Sequence, residues 1–332
     1  MLASLVARDC CAWPVLTRWP DGTLGLVHFD CATHGRTEGN LAALVSHDAG
    51  ATWAGAGLAA PHEPASNRMH LATGLDHAGR WLVLSTGFHF VGEEWAGLTP
   101  LWLSVAAAPG QPWTVHRQIS IAVPSPALIP HGRIAALPDG RLAATFYLSE
   151  GRERPSRAWL AFSRDDGQTW GEAVELGEGD ANEVVFLPRP NADWLAVVRT
   201  HRDYHLKLLR SPDAGATWPA PADLTLPMQH PGDLTELGDG RILLTYGIRN
   251  RGLMALGARL SRDGGANWGA PAVIFQFGEA LDCGYPSTVV CADGGLLTAA
   301  YSDCSPLHQG YHLLTVRWSL DEFFGPRKAS GV

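Results

Sequence analysis

The string SRDDGQTW, from Ser163 to Trp170, fits Ser-x-Asp-x-Gly-x-Thr/Asn-Trp, and the chain carries three more copies. SHDAGATW begins at Ser46, SPDAGATW at Ser211 and SRDGGANW at Ser261. Each follows a run that alternates apolar and polar residues. Self-similarity of this kind over a long period is the mark of a solenoid or a propeller. Within the string, Asp and Ser can satisfy turn amides, Gly takes a positive φ, and Trp packs into the sheet. The string therefore caps a β-hairpin.

A second repeat interlocks with the first. PVLTRWPDGTLGLVHF from Pro14, HLATGLDHAGRWLVLST from His70 and HGRIAALPDGRLAATFY from His131 each read as strand, turn, strand. NEVVFLPRPNADWLAVVRT from Asn182, GDLTELGDGRILLTYG from Gly232 and YPSTVVCADGGLLTAAY from Tyr285 continue the series. Asp-Gly or a close equivalent between two apolar-rich runs is a strong hairpin signal. Six hairpins, most followed by a third strand and a capping string, predict an all-β, six-bladed β-propeller with blades of four antiparallel strands. The second blade has a degraded string, AAAPGQPW from Ala106. The sixth has a third strand, YHLLTVRWSL from Tyr311, and no string after it. Its missing outer strand is expected to be LASLVAR at the N-terminus, which removes the open edge of the last sheet. No linker or composition shift divides the chain, so residues 1–332 are expected to form a single domain.

Composition agrees with many short strands and tight turns: 37 glycines, 23 prolines and 46% hydrophobic residues. A net charge of −8 with no Lys/Arg run argues against a nucleic-acid partner. No apolar stretch reaches the ~20 residues that cross a bilayer as a helix, so no membrane partner is expected. MLASLVARDCC is too short and too soon interrupted for a signal peptide. A cytoplasmic location is expected, with a trimmed secreted chain as the alternative. The six cysteines include an adjacent pair and no CxxC, which points to buried free thiols rather than a zinc site or a disulfide framework.

The capping string resembles the Asp-box of sialidases and related six-bladed propellers. That resemblance covers nearly the whole chain as architecture and part of the active site. DCGYPSTVV looks like the sialidase segment that carries the nucleophilic tyrosine, which implies that role for Tyr285. A phenol with a pKa near ~10 needs a base. The family's glutamate opens the fourth blade's inner strand, and NEVVFL places Glu183 there. Sialidases also grip the sugar carboxylate with three arginines, whose planar forks match it bidentately. LAVVRT places Arg199 in that set, and YGIRNRGL offers Arg249 or Arg251. The family's first arginine has no counterpart, because Ala12-Trp13-Pro14 stands at its position. The family's acid/base aspartate belongs near THGRTEG, where His34 and Glu38 are the titratable candidates.

PHEPASNRMHLA suggests a replacement for the missing arginine in Arg68, with Asn67 and His70 beside it. His131 and His230 also fall at expected axial positions, and Asp282 precedes Tyr285 closely enough to join the substrate-binding set. A His-lined cup is compatible with a metal, but no tight ligand spacing supports one, and no cofactor is expected.

These residues imply a sialidase-like glycoside hydrolase releasing a terminal acidic sugar, sialic-acid-like or a uronic acid, from a glycan. The alternatives are a polysaccharide lyase or His-dependent glycosidase on uronic-acid glycans, and a non-catalytic carbohydrate-binding propeller. Each has an acidic glycan or small carbohydrate as its partner.

Overall fold

Strands dominate because the chain alternates runs such as LGLVHF (Leu24–Phe29) and WLVLST (Trp81–Thr86) with Gly-rich turns, and all twelve of those residues are buried. Strict in-out alternation is lost there because each such sheet packs between two others and buries both faces. The computed structural model describes residues 1–92, 94–117, 119–123, 128–148, 155–177 and 179–325. Among these the single helix is the short Leu320–Phe324.

The strands form four separate four-stranded sheets, one nine-stranded sheet and a two-stranded hairpin, Phe88–Val91 with Glu94–Leu98. The sheet count departs from the six separate blades expected. The cause is a parallel pairing of His70–Leu75 with Ile129–Ala136, in which Ala72 lies opposite Gly132 and Gly74 opposite Ile134. A Cβ on Gly74 would stand 2.0 Å from the Ile134 carbonyl oxygen, so glycine is what lets the two backbones meet. The first strands of the repeats touch one another in a closed circle. In order these are Val15–Arg18, His70–Leu75, Ile129–Ala136, Val184–Leu187, Gln229–Glu236 and Cys283–Val290, which returns to the first. Leu2–Arg8 pairs antiparallel with His308–Trp318, Leu5 opposite Leu314, as the outer strand of the sheet that holds Cys283–Val290. The architecture is all-β and propeller-like.

The four capping strings share one geometry. In the copy at Ser163, the Gly167 N–H donates to Ser163 Oγ at 2.9 Å. There Asp165 accepts from the Thr169 N–H at 2.8 Å and from its hydroxyl at 2.7 Å. The same bonds recur around Asp48, Asp213 and Asp263, with Asn267 in the threonine's place in the last. The glycine has φ of +87°, +86°, +86° and +87° in turn. It also meets the neighbouring sheet: a Cβ at Gly265 would lie 2.5 Å from Leu195 Cδ1, and one at Gly50 2.4 Å from Leu297 Cδ2. Gly265→Ala is therefore expected to lose about 2 kcal/mol of stability through positive φ and overpacking together, read as a lower urea midpoint at constant slope. All six cysteines are unpaired.

Candidate active site

The circle of first strands surrounds a cavity of about 400 Å³. Three of those strands carry an irregularity where they reach it. Pairing slips between Gly284 and Ser287, between His131 and Ala135, and between Gln229 and Gly232. A bulge of this kind re-aims a side chain. At the first slip Tyr285 holds φ +50°, a left-handed conformation uncommon outside glycine, and its ring lines the cavity.

Glu183 and Arg199 are brought together by hairpin register. Val184 pairs with Val198, so the next residues out, Glu183 and Arg199, are cross-strand neighbours. The Tyr285 hydroxyl donates to Glu183 Oε1 at 2.5 Å. Arg199 Nη1 donates to Glu183 Oε2 at 2.5 Å and to the Tyr285 oxygen at 3.2 Å. Burial alone would raise the Glu183 pKa, but the positive Arg199 and the hydrogen bonds from Tyr285 and Arg199 hold it well below the usual carboxylate range. Burial, with the Glu183 charge beside it, pushes the Tyr285 phenol well above its ordinary value. The resting site is thus a neutral phenol bonded to an ionised carboxylate.

The position of the absent arginine is filled by Trp13, whose backbone also has positive φ, at +42°. Its indole stands edge-on to Tyr285 with centroids 6.2 Å apart, and to His34 at 4.9 Å. Arg249 lines the cavity, whereas Arg251 is exposed in the turn beyond, which settles the choice between them. Arg249 lies 3.4 Å from Asp282 and 3.4 Å from the Tyr301 hydroxyl. Its Nε and that of Arg199 are buried without a hydrogen-bond partner. The guanidinium groups of both residues border the cavity. Arg133 is committed elsewhere, since its Nη2 donates to Asp233 and to the Thr288 carbonyl, both at 2.6 Å.

His34, His70 and His131 line the cavity with Tyr285, Glu183, Arg199 and Arg249. Burial pushes His70 down to about 3 and lowers His131 too, so both are neutral at ordinary pH. Besides Arg251, five expected residues stand outside the lining, among them Asp282, which is bonded to His34, Tyr301 and Tyr311. Arg68 does not replace the missing arginine: it is fully buried, stacks 3.4 Å from the centroid of the Trp102 ring and donates to the Pro100 carbonyl at 2.6 Å. The guanidinium's contact with the tryptophan face, together with its bond to the Pro100 carbonyl, outweighs a turn toward the axis. Asn67 spends its amide on local backbone, accepting from the Phe88 N–H at 2.9 Å and donating to the Gly35 carbonyl at 3.0 Å. Glu38 faces solvent and accepts from the Ala65 N–H at 2.6 Å. His230 is 2% exposed and packs behind the wall against Tyr204.

Sequence reasoning missed Tyr147, His201, Tyr204, Phe88 and Trp95 in the lining. For Tyr147 a signal existed: it closes the second strand of its hairpin much as Arg199 closes the next one. Phe88 and Trp95 belong to the extra hairpin, where they stack at 4.7 Å and 14°. That hairpin lies outside the repeat.

One trio of possible metal donors, Cys11, His34 and Asp282, lies close together among the described residues. It fits a cation poorly. Asp282 already accepts from Tyr301, Tyr311 and His34 and faces Arg249, while burial pushes the Cys11 thiol far up and keeps it protonated. A metal needs the thiolate.

A phenol–carboxylate–guanidinium cluster at the centre of a ring of Asp-box sheets defines a sialidase-like propeller. Residues 81–298 match the BNR repeat-like domain, and the chain belongs to that family. In structure it is similar to a protein of unknown function from Dyadobacter fermentans, at 19% identity over 96% of this chain and 97% of that one, with a TM-score of 0.83. It is also similar to a Hadza microbial sialidase, at 17% identity over 96% and 66% of the two chains, with a TM-score of 0.74. For Trypanosoma rangeli sialidase in complex with 2,3-difluorosialic acid as a covalent intermediate, the identity is 16% and the TM-score 0.67. That match covers 94% of this chain, which spans about half (54%) of the trypanosomal one. At these identities the likeness is one of fold. No curated protein matches the chain in sequence.

Proposed function

We propose that the protein is a sialidase-like glycoside hydrolase that removes a terminal acidic sugar with retention of configuration. We count its nine-stranded sheet as two fused blades, which makes a single six-bladed domain. The observation that carries the reading is the Tyr285 hydroxyl, 2.5 Å from Glu183 inside the axial cavity. As the leaving group departs and positive charge grows at the anomeric carbon, the phenol oxygen attacks and its proton passes to Glu183. Deprotonation is coupled to attack because the resting phenol is too weak an acid to ionise first. A neutral tyrosine backed by a glutamate avoids driving a bare carboxylate at a carbon that already bears one, which is why sialidases depart from the two-carboxylate pattern of most glycosidases. The guanidinium groups of Arg199 and Arg249, both on the cavity wall, are the donors for the sugar carboxylate.

The test is incubation with a difluorinated sialic acid, followed by peptide mass spectrometry. An adduct on the peptide containing Tyr285 supports the reading, and release of free sugar from a panel of sialosides and uronic-acid glycans would identify the substrate. Cleavage that yields an unsaturated, ultraviolet-absorbing product would instead establish a lyase. The neutral His70 and His131, each about 6.4–6.5 Å from Tyr147 by ring centroids, favour that second reading. In that case His70→Ala would be as damaging as Tyr285→Phe. Binding without turnover on every acidic glycan would leave a carbohydrate-binding propeller.

A further inference from the structure

We propose that His34, held by Asp282, is the proton donor and acceptor for the leaving oxygen, and that Tyr301 and Tyr311 fix Asp282 for that task. The proposal rests on the Tyr285–Glu183 reading above. His34 is half-exposed on the cavity wall, with Nδ1 2.9 Å from Asp282 Oδ2. Asp282 is itself well enclosed. Tyr301 donates to its Oδ1 at 2.8 Å, Tyr311 to its Oδ2 at 3.0 Å, and Arg249 stands 3.4 Å away. Burial would raise the Asp282 pKa, but the His34 hydrogen bond and the Arg249 charge bring it down to about 2.

An ionised Asp282 makes Nδ1–H of His34 the donor to it and leaves Nε2 for the substrate. A carboxylate that fixes the tautomer and orientation of a histidine is a recurrent device in acid–base catalysis. Tyr301 and Tyr311 occupy the lone pairs that would otherwise let the carboxylate rotate. Trp13 links this assembly to the nucleophile, because its indole touches the rings of both His34 and Tyr285. Glu38, the other titratable group of the same loop, lies outside the cavity lining and is bonded to the Ala65 amide.

In the first step the bond from the anomeric carbon to the aglycone oxygen breaks and its electron pair goes to that oxygen. The Nε2–H proton of the His34 imidazolium transfers to it. The Tyr285 oxygen bonds to the anomeric carbon as Glu183 takes the phenol proton. In the second step neutral His34 Nε2 removes a proton from water, the hydroxide oxygen bonds to the anomeric carbon, and Tyr285 leaves, recovering its proton from Glu183. The histidine ends protonated, as it began.

A leaving group that needs no proton separates this role from a structural one. The experiment compares 4-nitrophenyl and lactose-linked α-glycosides of the same sialic acid with the full-length protein. His34→Ala is expected to lose ~10²–10⁴-fold in kcat/KM on the lactosyl substrate and less than ~10-fold on the nitrophenyl one. Asp282→Asn is expected to show the same split at smaller amplitude. Should it fail to fold, Tyr311→Phe loosens the same carboxylate more gently and is expected to shift the ratio of the two rates in the same direction. Equal loss on both substrates in His34→Ala, or the split appearing in Glu38→Ala instead, would overturn the proposal. Failure of the underlying reading looks different, because Tyr285→Phe would then stay active on the nitrophenyl glycoside.

Discussion

Tyr285→Phe is expected to lower kcat by on the order of 10³-fold or more with KM nearly unchanged. The substitution removes one oxygen and leaves the ring in place. Its edge contacts with Trp13 and His131 and its tilted contact with Tyr301 depend on ring carbons, not on the hydroxyl. Glu183 loses one hydrogen bond but keeps the Arg199 ion pair, so the carboxylate is not stranded. In the proposed mechanism substrate binding rests on the arginines and the aromatic wall, which the substitution spares. Only the bond that forms in the transition state is lost, and that is what an effect on kcat alone reports. Arg199→Ala is a less clean comparison. Its guanidinium bonds both Glu183 and Tyr285, so it is expected to raise KM and lower kcat together. Steady-state kinetics on the substrate found in the panel, alongside a thermal melt to check folding, decide the matter. A kcat reduced by less than ~10-fold in Tyr285→Phe would remove the nucleophile from the mechanism.

The parts of this molecule that were legible in the sequence are those fixed over short distances along the chain. The capping strings and Asp-Gly turns are set by φ preferences and bonds within five residues, and they are found where they are written. Glu183 and Arg199 were read from the resemblance to sialidases, and hairpin register is what makes them neighbours in the structure. What failed depended on contacts between repeats. The parallel pairing of His70–Leu75 with Ile129–Ala136 joins strands from different hairpins, and nothing local announces it. Arg68 lies next to the first of those strands, so a turn toward the axis was a reasonable expectation. Its actual partner, Trp102, is far along the chain and faces the other way. Glu38 and His34 sit four residues apart in an irregular loop, where no period tells which side chain turns inward. Trp13 was visible only as a missing arginine; that its indole becomes the wall between His34 and Tyr285 follows from a positive φ that the string Ala12-Trp13-Pro14 does not advertise.

Acidification is expected to destabilise the protein from just below neutral pH, well before its carboxylates are protonated. Burial lowers the pKa of His28, His70, His131, His230 and His312 below the ordinary 6.5. His230 is brought down to about 2, by burial first and then by the positive Arg199 and Arg249, with Glu183 opposing and His201 adding to the effect. A histidine with a depressed folded pKa is neutral in both states above about pH 6.5, where its contribution to stability is whole. Below that the unfolded chain takes up a proton that the folded one refuses, and stability falls toward the folded pKa. The slope is up to about 1.4 kcal/mol per pH unit for each fully buried histidine, so His230 alone costs about 2 kcal/mol between pH 7 and 5. The others add to this, with His70 contributing less because its ring keeps some water contact in the cavity. Glu183 acts in the same direction but only lower down, since its contribution is lost as the pH falls below its unfolded pKa near ~4.3 toward its lower folded one. The check is urea unfolding at pH 7 and pH 5 for the native chain and for His230→Phe, which keeps the ring packed on Tyr204 and removes the titration. The native chain is expected to lose about 2 kcal/mol more than the variant over that interval. An equal loss in both would show that His230 is protonated in the folded state, and that the ionised groups around it hold a charge that burial was expected to exclude.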